Sequence, residues 1–224
     1  VGTGSNGKPW LFNGKGQNTA NATVYGGTFN ADVNHQHWAH EVVVPETLAL
    51  KDNGDGTWTV VPSVAYNVEI ASGYERMVGY ATFEDAFAAT NKYNCKNNTV
   101  VVVKDVAVEN TITVAKDVNA VLDLNGKVLS MNDASGKGAY AIKNQGNLTI
   151  ADNSEAKTGK ITFNSTTPDN SFGYATSTIG NAGQLTVNSG TIENTTVGGA
   201  SYAIDGIWHT GDVSLTINGG TIVA

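Results

Sequence analysis

An all-β fold, a right-handed parallel β-helix, is the architecture this sequence predicts, and three observations carry the prediction. A short pattern recurs: Asn147-Leu-Thr-Ile150 is followed by Gly159-Lys-Ile161, Gln184-Leu-Thr-Val187 by Gly190-Thr-Ile192, and Ser214-Leu-Thr-Ile217 by Gly220-Thr-Ile222. Looser copies are Val121-Leu-Asp-Leu124 with Gly126-Lys-Val128, and Ala22-Thr-Val24 with Gly27-Thr-Phe29. Each copy alternates apolar and polar residues with the period of a strand that buries one face. The intervals vary, with 26, 37 and 30 residues separating Leu122, Leu148, Leu185 and Leu215. Variable intervals suit solenoid rungs, whose loops lengthen while the stacked strands keep register; a propeller needs a near-constant period. Finally, Ile142, Ile179 and Ile204 each precede a Leu-Thr-Ile/Val strand. They predict one inward ladder beside two more, Leu148/Leu185/Leu215 and Ile150/Val187/Ile217, because parallel stacking places like over like.

Residues 1–34 read as closing rungs of a preceding repeat, and 35–81 as a connector carrying a β-hairpin. The hairpin is Leu48-Ala-Leu50 and Thr57-Trp-Thr-Val-Val61 around the turn Asp52-Asn-Gly-Asp-Gly56. That turn lacks the twelfth-position glutamate of a calcium loop, since Ser63 stands there. Residues 82–94 read as a helix, with Thr82 as N-cap and Phe83, Ala86, Phe87 and Thr90 on one face. A solenoid exposes its apolar interior at an open end, so this helix is expected to cap the β-helix of 82–224. Thr99-Val-Val-Val-Val-Lys104 and Asn110-Thr-Ile-Thr-Val114 supply the first rungs.

The string Val121-Leu-Asp-Leu-Asn-Gly-Lys-Val-Leu-Ser130, the rung Gly146-Asn-Leu-Thr-Ile150 and the element Gly26-Gly-Thr-Phe29 resemble the pectate-lyase-like β-helix domains of large repetitive surface proteins of Gram-positive, often gut-dwelling, bacteria. The resemblance runs from about residue 80 to the end and again near 22–60. It implies an extracellular location at the bacterial cell surface and an adhesive role. In those proteins a Gly-Gly-Thr-Phe element closes one β-helix before the next begins, which implies the assignment of 1–34.

The 26 glycines against 4 prolines fit many tight turns without polyproline character. With 13 Lys+Arg against 20 Asp+Glu the net charge is −7, and Arg76 is the sole arginine. Both features argue against nucleic-acid binding and against clamps for phosphate groups. Cys95 is the one cysteine, so there is no internal disulfide, and it reads as a buried small hydrophobe. No apolar run reaches the ~20 residues a membrane-crossing helix needs. Val1-Gly-Thr-Gly lacks the basic start and apolar stretch of a leader, so the chain reads as a mature or excised piece.

Enzymes built on a β-helix use acidic calcium ligands with a basic residue, or aspartates on adjacent rungs acting as acid and base. Here Asp123 is expected to ladder with Thr149, Thr186 and Thr216, and Arg76 precedes the cap, so no catalytic set is expected. Polysaccharide lyase or glycoside hydrolase activity stays as the alternative, pointing to Asp123 and Asp152. His35, His37 and His40, with Glu41, are candidate metal ligands, but their spacing matches no zinc pattern and the plain reading is an exposed connector. No cofactor is expected. Among Trp10, Trp38, Trp58 and Trp208, the last is the first candidate for ligand contact. Ile207-Trp-His-Thr-Gly211 is a loop between rungs, where an aromatic can stack on a sugar or anchor a protein. Trp208, His209 and Trp38 are therefore the candidate binding residues, and Trp58 reads as hairpin core. The expected function is a surface module that binds host proteins, immunoglobulin among them, or glycans, or that serves as a rigid stalk. Head-to-tail self-association is the expected assembly, with residues 11–34 of one molecule covering the 215–224 end of the next.

Overall fold

The structure, a computed structural model, describes residues 22–35, 42–71, 73–134, 139–167, 176–207 and 212–224. Within them the chain is mostly β, with parallel sheets and one helix. No helix among the described residues is long and apolar enough to cross a membrane.

The chain first builds an irregular β region. Strands β1 (Ala22–Thr23), β2 (Thr28–Phe29) and β3 (Val42–Val43) are short; β4 (Leu48–Asp52) and β5 (Trp58–Pro62) form the predicted hairpin. β1 pairs with β3 in parallel, and β2 pairs antiparallel with β5 through Thr28–Thr59 and Phe29–Trp58. The copy expected at 22–29 thus differs from the others, since its second apolar position, Phe29, joins a hairpin and not a parallel stack. Val24, Val33, Val42 and Val44 share a small core, with Phe29, Leu48, Leu50 and Val60 packed against it. A second, unforeseen hairpin follows: β6 (Ala65–Ala71) and β7 (Tyr74–Tyr80), antiparallel over their whole length.

Helix α1 spans Phe83–Lys92. The Thr82 hydroxyl accepts from the Asp85 amide at 3.1 Å and donates to the Asp85 carboxylate at 2.7 Å, so aspartate completes the cap where glutamate is usual. Glu84 and Asp85 in the first turn and Lys92 in the last oppose the ends of the helix dipole. The helix stops before the expected 94. Tyr93 is extended, and the Asn94 carbonyl accepts from the Ile70 amide at 2.7 Å, which ties 93–94 to β6. Phe83 and Phe87 are buried in the same cluster as Val100, Ile112 and Leu122, so α1 lies over the first parallel strands.

From β8 (Cys95–Val102) onward three parallel sheets are visited in rotation. β9 (Val106–Val108) and β10 (Ile112–Val114) complete the first cycle. The second is β11 (Asn119–Asp123), β12 (Val128–Asp133) and β13 (Tyr140–Asn144). The third is β14 (Asn147–Ala151), β15 (Lys160–Ser165) and β16 (Thr176–Asn181). The fourth is β17 (Gln184–Val187), β18 (Thr191–Asn194) and β19 (Ser201–Gly206), and β20 (Ser214–Ile217) and β21 (Thr221–Val223) begin a fifth. β8 pairs antiparallel with β6 on one edge and parallel with β11 on the other, so the hairpins and the cycles share one ten-stranded sheet.

The registers match the ladders read from the sequence. Leu148 pairs with Leu185 and Leu185 with Leu215; Ile150 with Val187 and Val187 with Ile217; Ile142 with Ile179 and Ile179 with Ile204. Each buried residue is covered by the cycle above and below, so burial at ~25 cal/mol per Å² stabilises neighbours jointly. Leu215 has the register without the burial: it is 48% exposed, because no described strand packs beyond β20.

Two registers differ from expectation. Leu148 pairs with Ala120 and Ile150 with Leu122, two residues earlier than the aligned triplets suggest, so Asp123 stands beside Ala151 and the threonines ladder with Val121. On the next sheet Leu129, not Val128, pairs with Ile161. The cause lies at the corner. Asn125 and Gly126 both take positive φ, and seven residues separate Leu122 from Leu129, against five from Val187 to Ile192. The longer corner tucks Leu124 inside, fully buried. Its side chain fills the space beside Gly190, where an added Cβ would stand 2.8 Å from Leu124 Cδ1 and φ is +89°. Gly190→Ala is expected to lose about 2 kcal/mol by combining the steric clash with left-handed strain. Urea denaturation checks this, and an unchanged midpoint would mean that the corner relaxes freely.

Candidate functional site

The outer side of the ten-stranded sheet carries two columns of polar residues set by the parallel register. Asn119, Asn147, Gln184 and Ser214 form one; Thr149, Thr186 and Thr216 form the next, headed by Val121. The amide column is exposed and the threonines are half-buried, apart from exposed Thr216. Successive members stand one strand apart, about 4.8 Å. Alongside runs a groove of about 430 Å³, lined by Lys116, Asp117, Gln145, Asn147, Gln184 and Asp212 among others. Its floor is bare backbone at Gly146 and Gly183. A Cβ on Gly146 would stand 2.4 Å from the Ala115 carbonyl, and one on Gly183 would stand 2.2 Å from the Gly146 carbonyl. Glycine is required there because consecutive cycles touch at the corner.

A buried amide ladder fixes that corner. Asn144 Nδ2 donates to Asn181 Oδ1 at 2.8 Å and to the Gln184 carbonyl at 2.9 Å; Asn181 Nδ2 donates to the Ser214 carbonyl at 2.9 Å. The same two side chains accept from the Gly146 and Gly183 amides at 3.1 and 3.3 Å. Asn144 of the second cycle and Asn181 of the third thus tie the second to fifth cycles together, and the exposed side chains of Asn147 and Gln184 stand on a rigid base. Such a face offers alternating donors and acceptors at regular intervals, with charge of both signs along its rim.

Asp123 and Asp152, the carboxylates of the enzymatic alternative, are both buried at turns. Asp123 Oδ1 accepts from the Asn125 and Asn153 amides at 3.0 and 2.9 Å, and Oδ2 from Asn153 Nδ2 at 2.9 Å. Asp152 Oδ1 accepts from the Gly126 and Ser154 amides at 2.9 and 3.1 Å, and Oδ2 from the Gly159 amide at 2.6 Å. Burial alone would raise the Asp152 carboxyl, but hydrogen bonds from Ser154, Gly159 and Gly126 outweigh it and hold the group below its ordinary value.

His35, expected in an exposed connector, lies instead in a charged network. Its Nδ1 is 2.6 Å from Asp32 Oδ2 and its Nε2 is 3.0 Å from Glu69 Oε2. The Glu69 side chain, on β6, is only 4% exposed; it also accepts from the Tyr80 hydroxyl and lies 3.9 Å from Arg76. Arg76 donates in turn to the Asn34 carbonyl. The Tyr93 ring stacks on His35, with centroids 4.0 Å apart and planes 6° from parallel. Burial disfavours the imidazolium, but the two carboxylates prevail and push His35 up to about 9. Among the described residues no group of three or more His, Cys, Asp or Glu could hold a metal ion. Cys95 is buried beneath this network, and burial first, then the Glu69 charge, pushes its thiol up to about 11, away from nucleophilic use.

Trp38, His37, His40, Trp208 and His209 lie outside the described residues. Trp58 is half-buried and lines a cleft of about 240 Å³ with Asp52, Asp85 and Lys92, so it is not wholly hairpin core. The amide column could have been read from the residue that precedes each Leu-Thr pair, Asn147, Gln184 and Ser214. No local signal joins His35 to Glu69, which stands 34 residues away.

Compared with known proteins, the chain finds no match: no family model, no curated protein and no solved structure.

Proposed function

We propose that this chain is a non-catalytic binding module of an extracellular bacterial surface protein, wound as a right-handed parallel β-helix, whose outer polar face holds an extended, hydroxyl-rich glycan. The observation that carries the reading is the amide column Asn119, Asn147 and Gln184 beside the threonines, with the corner groove running along it. The winding is supported by the regular rotation among three parallel sheets. Its hand follows from the right-handed crossover that parallel strands adopt in nearly all proteins. A non-catalytic role is supported by the commitment of Asp123 and Asp152 to backbone amides, which leaves neither carboxylate disposed to act as acid or base.

A linear glycan repeats along its length, as the column does, and its hydroxyls pair with amide donors and acceptors alike. The mixed charges of Lys116, Asp117 and Asp212 favour a neutral sugar over a strongly anionic one. The test is a glycan array followed by titration of the hits against Asn147→Ala/Gln184→Ala. The double variant is expected to bind at least about tenfold more weakly at unchanged stability, each lost hydrogen bond counting about 1 kcal/mol. Equal binding by the double variant, or binding only to a host protein such as immunoglobulin, would overturn the assignment of this face to glycans. Reducing-end release above a heat-killed control would overturn the non-catalytic reading.

A further inference from the structure

The polar face has a period, and the period restricts what can lie along it. The corner groove takes its lining from equivalent positions of successive cycles: Asn119 from the second, Asn147 from the third and Gln184 from the fourth, with Asp212 just ahead of Ser214 in the fifth. Its long direction therefore crosses the strands and follows the stack. The column advances one strand, about 4.8 Å, with each cycle.

The column is also unspent. Among the described residues the side chains of Asn119, Asn147 and Gln184 make no hydrogen bond, although they stand in register and are exposed. Stacked amides elsewhere in the chain pair with one another: Asn144 Nδ2 donates to Asn181 Oδ1 at 2.8 Å inside the corner, and Asn218 Nδ2 to Asn188 Oδ1 at 2.9 Å on the surface. The groove amides thus keep both donors and acceptors to offer outward.

We infer that the ligand of this face is a neutral β-1,4-linked hexopyranose chain of the gluco or manno configuration, lying along the stack with one sugar unit to each cycle. This rests on the glycan reading above and adds the linkage, the direction and the length. Asn119, Asn147, Gln184 and Ser214 are its four successive subsites. A pyranose joined through equatorial bonds at both ends extends as a flat ribbon. Its unit is slightly longer than the strand spacing, so ribbon and column stay in step over a run as short as four. Consecutive units of the ribbon turn over, so either edge presents ring hydroxyls and a hydroxymethyl group alternately. A side-chain amide serves both, since it donates and accepts, whereas a carboxylate only accepts and an ammonium only donates. An α-1,4 chain of the same sugar curls, and its edge leaves a straight column after the first units.

The test is calorimetric titration of the whole chain with cello- and manno-oligosaccharides of two to six units, and with malto-oligosaccharides of the same lengths as the curled counterpart. Expected is a rise in affinity of roughly fivefold for each unit up to four, one net hydrogen bond apiece, then a plateau, with the malto series weak at every length. Two single variants read the subsites. Asn119→Ala is expected to weaken the tetrasaccharide about fivefold and to spare the trisaccharide, which keeps Asn147, Gln184 and Ser214. Asn147→Ala is expected to weaken both, because every run of three subsites includes Asn147. Both positions are exposed, so the fold is retained. Equal binding of the malto series, affinity that ignores length, or two variants that act alike on both lengths would overturn the ribbon. So would the absence of binding by both β-1,4 series. The glycan reading itself falls only if the array shows no sugar bound at this face.

Discussion

Leu185→Asp is expected to abolish the folded stack at room temperature, whereas Thr186→Asp, one residue away, leaves it within about 0.5 kcal/mol of the parent. Leu185 is 1% exposed and sits between Leu148 and Leu215 in one ladder. Aspartate there removes the burial of a leucine, about 2–3 kcal/mol, and places a carboxylate among Leu148, Ile150 and Val187 with no partner. The sum is about 5 kcal/mol or more, comparable with the whole stability of an ordinary domain. Neighbouring cycles stabilise each other, so the damage spreads along the stack. Thr186 points outward between Thr149 and Thr216, where a carboxylate stays hydrated. Thermal melts followed by circular dichroism compare the two variants directly. Equal losses would show that the inward and outward faces have been exchanged.

What could be read from the sequence follows from what periodicity encodes. The Leu-Thr-Ile/Val triplets carry the face of each strand, and identical triplets over identical triplets carry the register of the later cycles. Register was lost where a corner changed length. A run such as Val121-Leu-Asp-Leu-Asn-Gly aligns equally well two residues either way, because a shift of two keeps every side chain on its face. At Val128 the slip was a single residue, which exchanges the faces: Leu129 is buried and Val128 only half-buried. The hairpin β6–β7 was hidden for a different reason. Its pattern is inverted, with Ala65, Asn67 and Glu69 buried while Tyr66, Val68 and Ile70 are half-exposed. Binary patterning assigns the buried face to the apolar residues, and here two of three buried positions are polar. Asn67 is held by donating to the Ala86 carbonyl at 2.9 Å, and Glu69 by His35 and Tyr80. The partners that make those polar residues inward-facing lie in other segments, so the inversion has no local signature. The groove glycines Gly146 and Gly183 belong to the same class, since each is required by a backbone atom of the preceding cycle.

Asp152→Ala is expected to lower stability by about 3 kcal/mol or more, and Asp152→Asn by a large part of that, although neither removes any apolar contact. The carboxylate accepts three backbone amides, from Gly126 of the preceding corner and from Ser154 and Gly159 of its own loop. Its own amide donates to Ser189 Oγ of the next corner at 2.7 Å, so the residue touches three successive cycles. Alanine leaves the three amides without their acceptor, at about 1–3 kcal/mol for each that water cannot reach. Asparagine keeps one oxygen and turns an NH2 group toward amides that themselves donate, so it restores only one side. The same bonds set the pH dependence. The folded carboxyl lies below its ordinary value, so the contribution is present above 3.8 and is lost as pH falls through the folded value. Urea denaturation of the three proteins at pH 7 and pH 3 reads both effects, and the differences between them shrink at the lower pH. A catalytic aspartate gives the opposite result: Asp152→Asn would hold its stability at pH 7 and lose activity on a polysaccharide, which would return Asp152 to the enzymatic alternative.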